Sequence, residues 1–211
     1  MGKVTNLSFL SFEGTIGNLI IYKLKGKSYF RRKPESYNDA GTDEQLDHRN
    51  RLKAINRLSS LAMDDINKTI WKRKSRKLTA HNYFKKINFP FLDPVGKISQ
   101  HNKIIFSVGD FPLPEDMNIE ETPSADGLYT LTWSTEHGYA QEFPASKLRI
   151  VALNNNDEMA ILPVEATCSE GKATFELPPC DSGAMVHLYA YFFNDYFKGS
   201  EGNYYKAVQI P

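Results

Sequence analysis

Five basic side chains stand within six positions of the stretch TIWKRKSRKL. They are Lys72, Arg73, Lys74, Arg76 and Lys77, with Ser75 between them. Bases at this density bind phosphates or acidic protein surfaces, and the nearby Trp71 and Tyr83 offer rings for stacking on nucleic-acid bases. Basic residues in the last turn of a helix also compensate its unpaired carbonyls and the negative end of its dipole. One or two bases suffice for that role, so the excess favours contact with a partner.

A second basic segment, KLKGKSYFRRK, lies near the start of the chain and includes Arg31 and Arg32. It extends the predicted contact surface for a polyanion or an acidic partner. Residues 1–90 carry 19 Lys and Arg against 8 Asp and Glu, a net charge of +11, whereas residues 91–211 carry 7 against 17, a net of −10. Such asymmetry favours head-to-tail association between copies or attraction to another charged molecule.

Residue types that commonly perform catalysis do not form a catalytic pattern here. The five histidines are scattered without metal-ligand spacing, and His187 alternates with apolar residues in a predicted strand as a half-buried packing residue. GTIG precedes a predicted strand rather than a helix, which is unlike a phosphate-binding loop. Cys168 and Cys180 are interpreted as packing or surface residues in a reducing compartment. The sequence therefore predicts a protein that is not an enzyme and has no metal or cofactor.

The basic residues must be positioned by the elements around them, beginning with a predicted β-hairpin. Two β-prone runs, 18–24 and 28–32, flank a turn that contains Gly26. Pro34 cannot donate a ladder hydrogen bond and marks the end of the hairpin. Arg31 and Arg32 therefore belong to its second strand.

Two helices are predicted to follow the hairpin. Thr42 is the expected N-cap of a long helix, and apolar residues at helical spacing continue one buried stripe as far as Ile70. The basic run 72–77 would then lie at the end of this long helix. A second helix is predicted in TAHNYFKKINF, between the capping residue Thr79 and Pro90.

The apolar period changes from that of a helix to that of a strand after residue 100. About seven strands are predicted in NKIIFSVG, LYTLTW, KLRIVAL, EMAILPVEA, KATFEL, MVHLYAYFF and YYKAVQI. This pattern is typical of an immunoglobulin-like or fibronectin-like β-sandwich, with Trp133 in its core. The predicted fold class is α+β. A β-hairpin and a helical hairpin form a basic module in residues 1–95, and an all-β sandwich domain follows in residues 96–211.

The segment 194–203 is predicted to be a loop between the last two strands, and it carries Tyr196 and Phe197. Two aromatic rings on a loop either fold back over the end of the core or offer a contact to a partner. Both alternatives remain open from the sequence, and the pair is a candidate protein contact.

The order of these segments resembles a family of uncharacterised bacterial proteins, typical of Bacteroidota, that is known only as a domain of unknown function. The resemblance rests on GTIGNLIIYKLKGKSYFRRKP, HRNRLKAI, HNYFKKINF, LTWS and VHLYAYFFNDYFKGSEGNYYKAVQI, which together span most of the chain. It implies the architecture described above and a function without catalysis, and it assigns no catalytic residues.

These observations favour a structural or assembly protein with a protein partner or self-association, for example in a phage-like particle or a multi-copy surface assembly. The alternative is an accessory protein that binds nucleic acid through the run 72–77, and glycan binding through the loop aromatics is a third possibility. The N-terminus lacks the apolar segment of a secretory signal, and no stretch reaches the roughly 18–20 apolar residues of a membrane span. A soluble protein in the cytoplasm or a virion is therefore expected.

Overall fold

The computed structural model describes residues 2–3, 13–24, 26–36, 41–122, 127–136, 138–194, 196 and 198–210. The fold is mixed α+β, and its sheets are antiparallel. The chain divides into two units between Thr42 and Asp43. The boundary predicted between residues 95 and 96 falls inside the second unit, because helices that precede it share a hydrophobic core with strands that follow it.

The first unit contains a small four-stranded sheet. Its strands are β1 (Gly2–Lys3), β2 (Gly14–Ile16), β3 (Leu19–Leu24) and β4 (Lys27–Arg32), in the order β1-β4-β3-β2. The predicted hairpin is confirmed, since β3 and β4 pair from Leu19 opposite Arg32 to Leu24 opposite Lys27.

The second unit begins with three helices. They are α1 (Asp43–Ala62), α2 (Asp65–Lys74) and α3 (Ala80–Asn88). The prediction of one long helix through Ile70 is wrong, because the Asp64 side chain accepts a hydrogen bond from the Asn67 backbone N–H at 2.9 Å and starts a new helix. The predicted cap at Thr79 is confirmed by its hydrogen bond from the Asn82 backbone N–H at 3.2 Å.

Two further sheets follow the helices. The strands are β5 (Asn118–Glu121), β6 (Leu128–Thr132), β7 (Lys147–Asn154), β8 (Met159–Leu162), β9 (Lys172–Glu176), β10 (Met185–Phe193) and β11 (Tyr204–Gln209), and a short helix α4 (Tyr139–Glu142) precedes β7. One sheet has the order β11-β10-β7-β8 and the other the order β5-β6-β9. The prediction of a strand in NKIIFSVG is wrong, since this segment belongs to no sheet. Conversely, the sequence pattern did not predict β5.

Side chains satisfy the backbone of NKIIFSVG in place of a neighbouring strand. Asn88 accepts from the Ile105 N–H at 2.8 Å and donates to the Ile105 carbonyl at 3.0 Å. Asn203 accepts from the Phe106 N–H at 2.7 Å, and the Trp71 indole donates to the Phe106 carbonyl at 2.9 Å. Because these polar groups are paired, the apolar segment crosses the core without belonging to a sheet.

The four-stranded sheet of the second unit is covered on both faces. One face packs on the three helices through four buried side chains: Val151, Leu153, Tyr189 and Tyr191. The other face packs on the three-stranded sheet through a second set that includes Ile150, Ala152, Leu188 and Phe192. Trp133 lies in this second core as predicted, 5 % exposed, and its indole donates to the Cys168 carbonyl at 2.7 Å.

A polar network joins the helices to this sheet. The Arg149 guanidinium of β7 forms an ion pair with Asp64, the capping residue of α2. The buried Tyr191 hydroxyl donates to the Asn67 side chain at 2.8 Å, and Asn67 donates to the Ala62 carbonyl at 2.8 Å. Loss of the contact between Tyr191 and Asn67 would leave buried polar groups unpaired, so the network fixes how α2 lies on the sheet.

Candidate functional site

The basic run 72–77 lies where α2 ends. Lys72, Arg73 and Lys74 form its last turn, Arg76 and Lys77 follow it, and all five side chains are exposed. Ser75 stands between them and is 5 % exposed. The structure therefore places all five predicted bases on the surface of the second unit.

Ser75 terminates α2 through its own hydrogen bonds. Its backbone N–H donates to the Trp71 carbonyl at 3.1 Å. Its hydroxyl lies 3.0 Å from the Lys72 carbonyl and 2.9 Å from the Leu78 carbonyl. Because the serine already satisfies carbonyls at the helix end, capping does not account for five basic side chains.

Two of the five bases are engaged within the chain. Lys74 forms an ion pair with Asp110. The hydrogen bond from Lys74 holds the pKa of Asp110 below its ordinary value, and the nearby positive charges of Lys198 and Arg73 lower it further. Arg73 donates to the backbone carbonyl of Tyr196 at 2.8 Å. The structure thus brings the basic run together with the aromatic loop, which the sequence treated as separate candidates.

The loop 194–203 is only partly exposed. The Tyr196 side chain is 77 % exposed, so it does not fold back over the core, while Phe197 lies outside the described residues. Ser200 of this loop is 0 % exposed and forms an isolated β-bridge with Phe111. Gly109 permits this close approach, since a Cβ there would overlap the Gly199 carbonyl.

Four apolar side chains on neighbouring strands of the first unit's sheet share one face. Register places Ile16 beside Leu19, and Ile21 beside Phe30. Three of these four side chains are substantially exposed: Ile16 56 %, Leu19 44 % and Phe30 36 %. We name Ile16, Leu19, Ile21 and Phe30 the apolar face. Among the side chains of this unit that the structure describes, none is buried.

Arg31 and Arg32 lie on opposite faces of this sheet, because neighbouring residues of a strand alternate. Arg32 pairs in register with Leu19 and lies beside the apolar face, and its guanidinium is 2.5 Å from the Glu35 carboxylate. Arg31 pairs in register with Ile20 on the other side. The two arginines therefore cannot contact one flat partner surface together.

A stacked histidine pair in the second unit was missed by the sequence analysis. The ring centroids of His101 and His187 lie 3.6 Å apart, and the angle between the ring planes is 8°. His187 Nδ1 is 2.9 Å from the Tyr205 hydroxyl, and the Tyr189 hydroxyl donates to the His101 carbonyl at 3.0 Å. Burial, and the neighbouring His187, lower the pKa of His101 to about 4, and burial also lowers the pKa of His187. A separation of 86 positions gives no sequence signal for this contact.

The two cysteines carry free thiols of raised pKa. Burial raises the pKa of the Cys168 thiol to about 12, and burial is also the largest cause of the raised pKa of Cys180. Neither cysteine forms a disulfide.

Within the part of the chain that the structure describes, His, Cys, Asp and Glu side chains form no group of three that could hold a metal ion. The helices of that part include none with the length and apolar character needed to cross a membrane.

Comparison with known proteins places the chain in a family. No curated protein matches the sequence. Residues 11–204 match the model of a family of unknown function, DUF6266, which covers both units described above. The resemblance to a domain of unknown function is confirmed, and the chain belongs to the DUF6266 family of unknown function.

Proposed function

We propose that this protein is a non-enzymatic assembly protein, in which the sheet of the first unit is the anchor that binds another protein. The observation that carries this proposal is the exposed apolar face formed by Ile16, Leu19, Ile21 and Phe30. A small sheet gains stability when a helix, another sheet or a partner covers an apolar face. Contiguous exposed apolar side chains also mark protein contacts more often than ordinary surface.

Charge around the apolar face defines the partner that suits it. Residues 1–42 carry seven Lys and Arg against three Asp and Glu, a net charge of +4. Two copies of this sheet placed face to face would repel each other, whereas an apolar surface with an acidic rim would be attracted. Residues 91–211 of a second copy, with a net charge of −10, would be attracted by charge, as would a different acidic protein.

The second unit would present or bridge the anchored partner as an immunoglobulin/fibronectin-like sandwich. The proposal is supported by seven strands in two antiparallel sheets, with β5, β6 and β9 in one and β8, β7, β10 and β11 in the other. Their inner faces share one core. At one end of this unit, the exposed Tyr196 and the basic run 72–77 form a second candidate contact. A phage-like particle or a multi-copy surface assembly would use two such contacts on one chain.

Light scattering after size exclusion tests the proposal at several protein and salt concentrations. We expect a mass above that of the monomer, or a co-purifying acidic protein from the native host extract, and weaker association at high salt. The double variant Leu19→Ser with Phe30→Ser should reduce the association. Leu24→Ser, whose wild-type side chain is 55 % exposed on the opposite face, is the matched control. A strict monomer under every condition, with no co-purifying protein, would reject the proposal.

A second candidate function is the binding of nucleic acid by the run 72–77. Ser75 already caps the end of α2, so capping does not explain why five basic side chains occur there. Lys74 and Arg73 already have partners within the chain, so Lys72, Arg76 and Lys77 are the bases best placed for phosphates. Three contacts on duplex DNA would give a log–log salt slope of about −3, rather than about −4.5 for five. Fluorescence anisotropy measures this slope, and binding unchanged after replacing the three bases with Gln would exclude it.

A further inference from the structure

A cavity of about 310 Å³ lies in the second unit, between α1, the turn 93–96 and the turn that joins β7 to β8. Its volume is at the lower end of the range of small-molecule sites, roughly 300–1,000 Å³. Leu58, Leu92 and Ile98 line it and are 5 %, 4 % and 8 % exposed, so its floor belongs to the hydrophobic core. Its lining residues are different from those of the surfaces proposed for assembly.

The turn that forms one wall is held firmly. Asp93 accepts from the Lys97 N–H at 2.7 Å through its side chain and from the Gly96 N–H at 3.0 Å through its carbonyl. Gly96 has a φ of +93°, and a Cβ there would lie 2.9 Å from the Asn50 carbonyl oxygen of α1. Val95 lines the cavity at the tip of this turn and is 74 % exposed. The wall is therefore pre-formed and places an apolar side chain at the rim.

Three charged side chains line the cavity. Lys53 and Arg57 are one helical turn apart on α1, and the positive charge of Arg57 also acts on the nearby Asp157 carboxylate. Asp157 is half-buried opposite them, and its carboxylate accepts a hydrogen bond from the Ile98 N–H. Two positive charges and one carboxylate leave a lining that favours a single negative charge beside an apolar floor.

We propose that this cavity binds a small amphipathic monocarboxylate, with its anionic group at Lys53 and Arg57 and its apolar part on Leu58, Leu92 and Ile98. The carboxylate of Asp157 repels an anion at its own end of the cavity, which orients the ligand toward α1. Arginine and lysine together recognise a carboxylate by charge-assisted hydrogen bonds. The larger groove beside β7 and β8, about 710 Å³, is a weaker candidate because its Arg149 is held by Asp64.

Nuclear magnetic resonance titration of the full chain tests this site with octanoate and octanamide, two probes of equal chain length that differ in charge. We expect octanoate to cause saturable amide shifts at Val95, Lys97 and Asp157. Octanamide should bind at least about tenfold more weakly, a difference of about 1.4 kcal/mol. Equal affinity for the two probes, or octanoate shifts confined to other regions, would overturn the proposal.

Substitutions in the wall separate a real site from general adsorption of the probe. Arg57→Gln should weaken octanoate binding about tenfold while leaving octanamide unchanged, since it removes one of two charges. Ala54→Leu should abolish binding of both probes by filling the cavity. Lys103→Gln, an exposed lysine that does not line the cavity, is the control. Thermal unfolding identifies any variant that fails to fold, and an Arg57→Gln protein that is folded and binds octanoate normally contradicts the proposal.

Discussion

The described residues include two antiparallel four-stranded sheets, and these differ in what covers them. In the second unit, eight of the nine residues of β10 are buried, because helices cover one face and a three-stranded sheet covers the other. In the first unit, β3 and β4 contain no buried residue. Backbone pairing alone therefore builds a sheet in both places, but only one of them is stabilised by a core of its own.

The difference is the reason for proposing separate roles for the two units. The second unit has the polar network of Asp64, Arg149, Asn67 and Tyr191 in addition to two apolar clusters, which favours a single rigid arrangement of helices and sheet. The first unit displays the apolar face to solvent. An element of this kind gains most from a partner, because the partner supplies the burial that the chain itself does not.

The largest expected effect is in the core between the helices and the sheet. Trp71 is 0 % exposed, and its indole donates to the Phe106 carbonyl. Its ring packs against that of Phe84, with 5.1 Å between the ring centroids. Trp71→Ala should lower the free energy of unfolding by about 3–5 kcal/mol. Phe30→Ala on the apolar face should change it by less than about 1 kcal/mol. Urea unfolding measures both, and equal losses would remove the contrast between the two regions.

A smaller loss is expected from the side chains that satisfy the irregular segment. Asn88→Ala leaves the Ile105 N–H and carbonyl without their partners and should cost about 1–3 kcal/mol in unfolding free energy. Asn102→Ala, at the exposed first residue of the same segment, is the control. If the two substitutions had equal effects on urea unfolding, the backbone of this segment would not depend on Asn88.

The same segment explains why the sequence predicted only part of this fold. Two β-prone runs around a turn glycine identified the hairpin. Alternation identified most strands of the second unit, because a period-two pattern follows from one buried face. NKIIFSVG carries the composition of a strand, yet its partners are Asn88 and Asn203, which lie far from it in sequence. The single long helix was predicted because the apolar stripe continues beyond Ala62. The side chain of Asp64 instead caps a new helix, so α1 and α2 are separate helices.

The candidate sites were predictable to a similar extent. The basic run is exposed as expected, because charge density alone indicates surface. Its link to Tyr196 required a tertiary contact from Arg73 that no sequence spacing encodes. Lys53 and Arg57 do stand at helical i,i+4 spacing, which is a usable signal, but the cavity beside them depends on turns far along the chain.

Acid should weaken the second unit more than the first, because the stacked histidines lie only in the second. The folded state lowers the pKa of His101 from its ordinary 6.5 to about 4, so the unfolded chain binds its proton at a higher pH than the folded chain does. Stability should therefore fall as pH drops from about 6.5 to about 4, and His101 should cause no further fall below that range. His101→Phe should flatten this slope in urea unfolding, because it removes the group whose pKa is lowered, and Asn102→Ala, at an exposed position beside it, should not. A slope unchanged by His101→Phe would contradict the assignment.

The smallest expected effect concerns the ion pair beside the basic run. The side chains of Lys74 and Asp110 are 37 % and 62 % exposed, so solvent screens their attraction. Lys74→Gln should change the free energy of unfolding by only about 0.2–1 kcal/mol, and less at high salt. Thermal unfolding at two salt concentrations measures it, and a loss as large as that of Asn88→Ala would mean that the run supports the fold rather than a contact.

Hydrogen–deuterium exchange of the dilute native chain tests the central contrast most directly, because it reports opening strand by strand. The account predicts that amides of β3 and β4 exchange at least about a hundredfold faster than those of β7 and β10, a difference of about 2.7 kcal/mol in opening free energy. Protection of β3 and β4 should rise when a partner or a second copy covers the apolar face. Equal protection of both sheets in the dilute monomer would show that the first unit is stable without a partner and would contradict its role as an anchor.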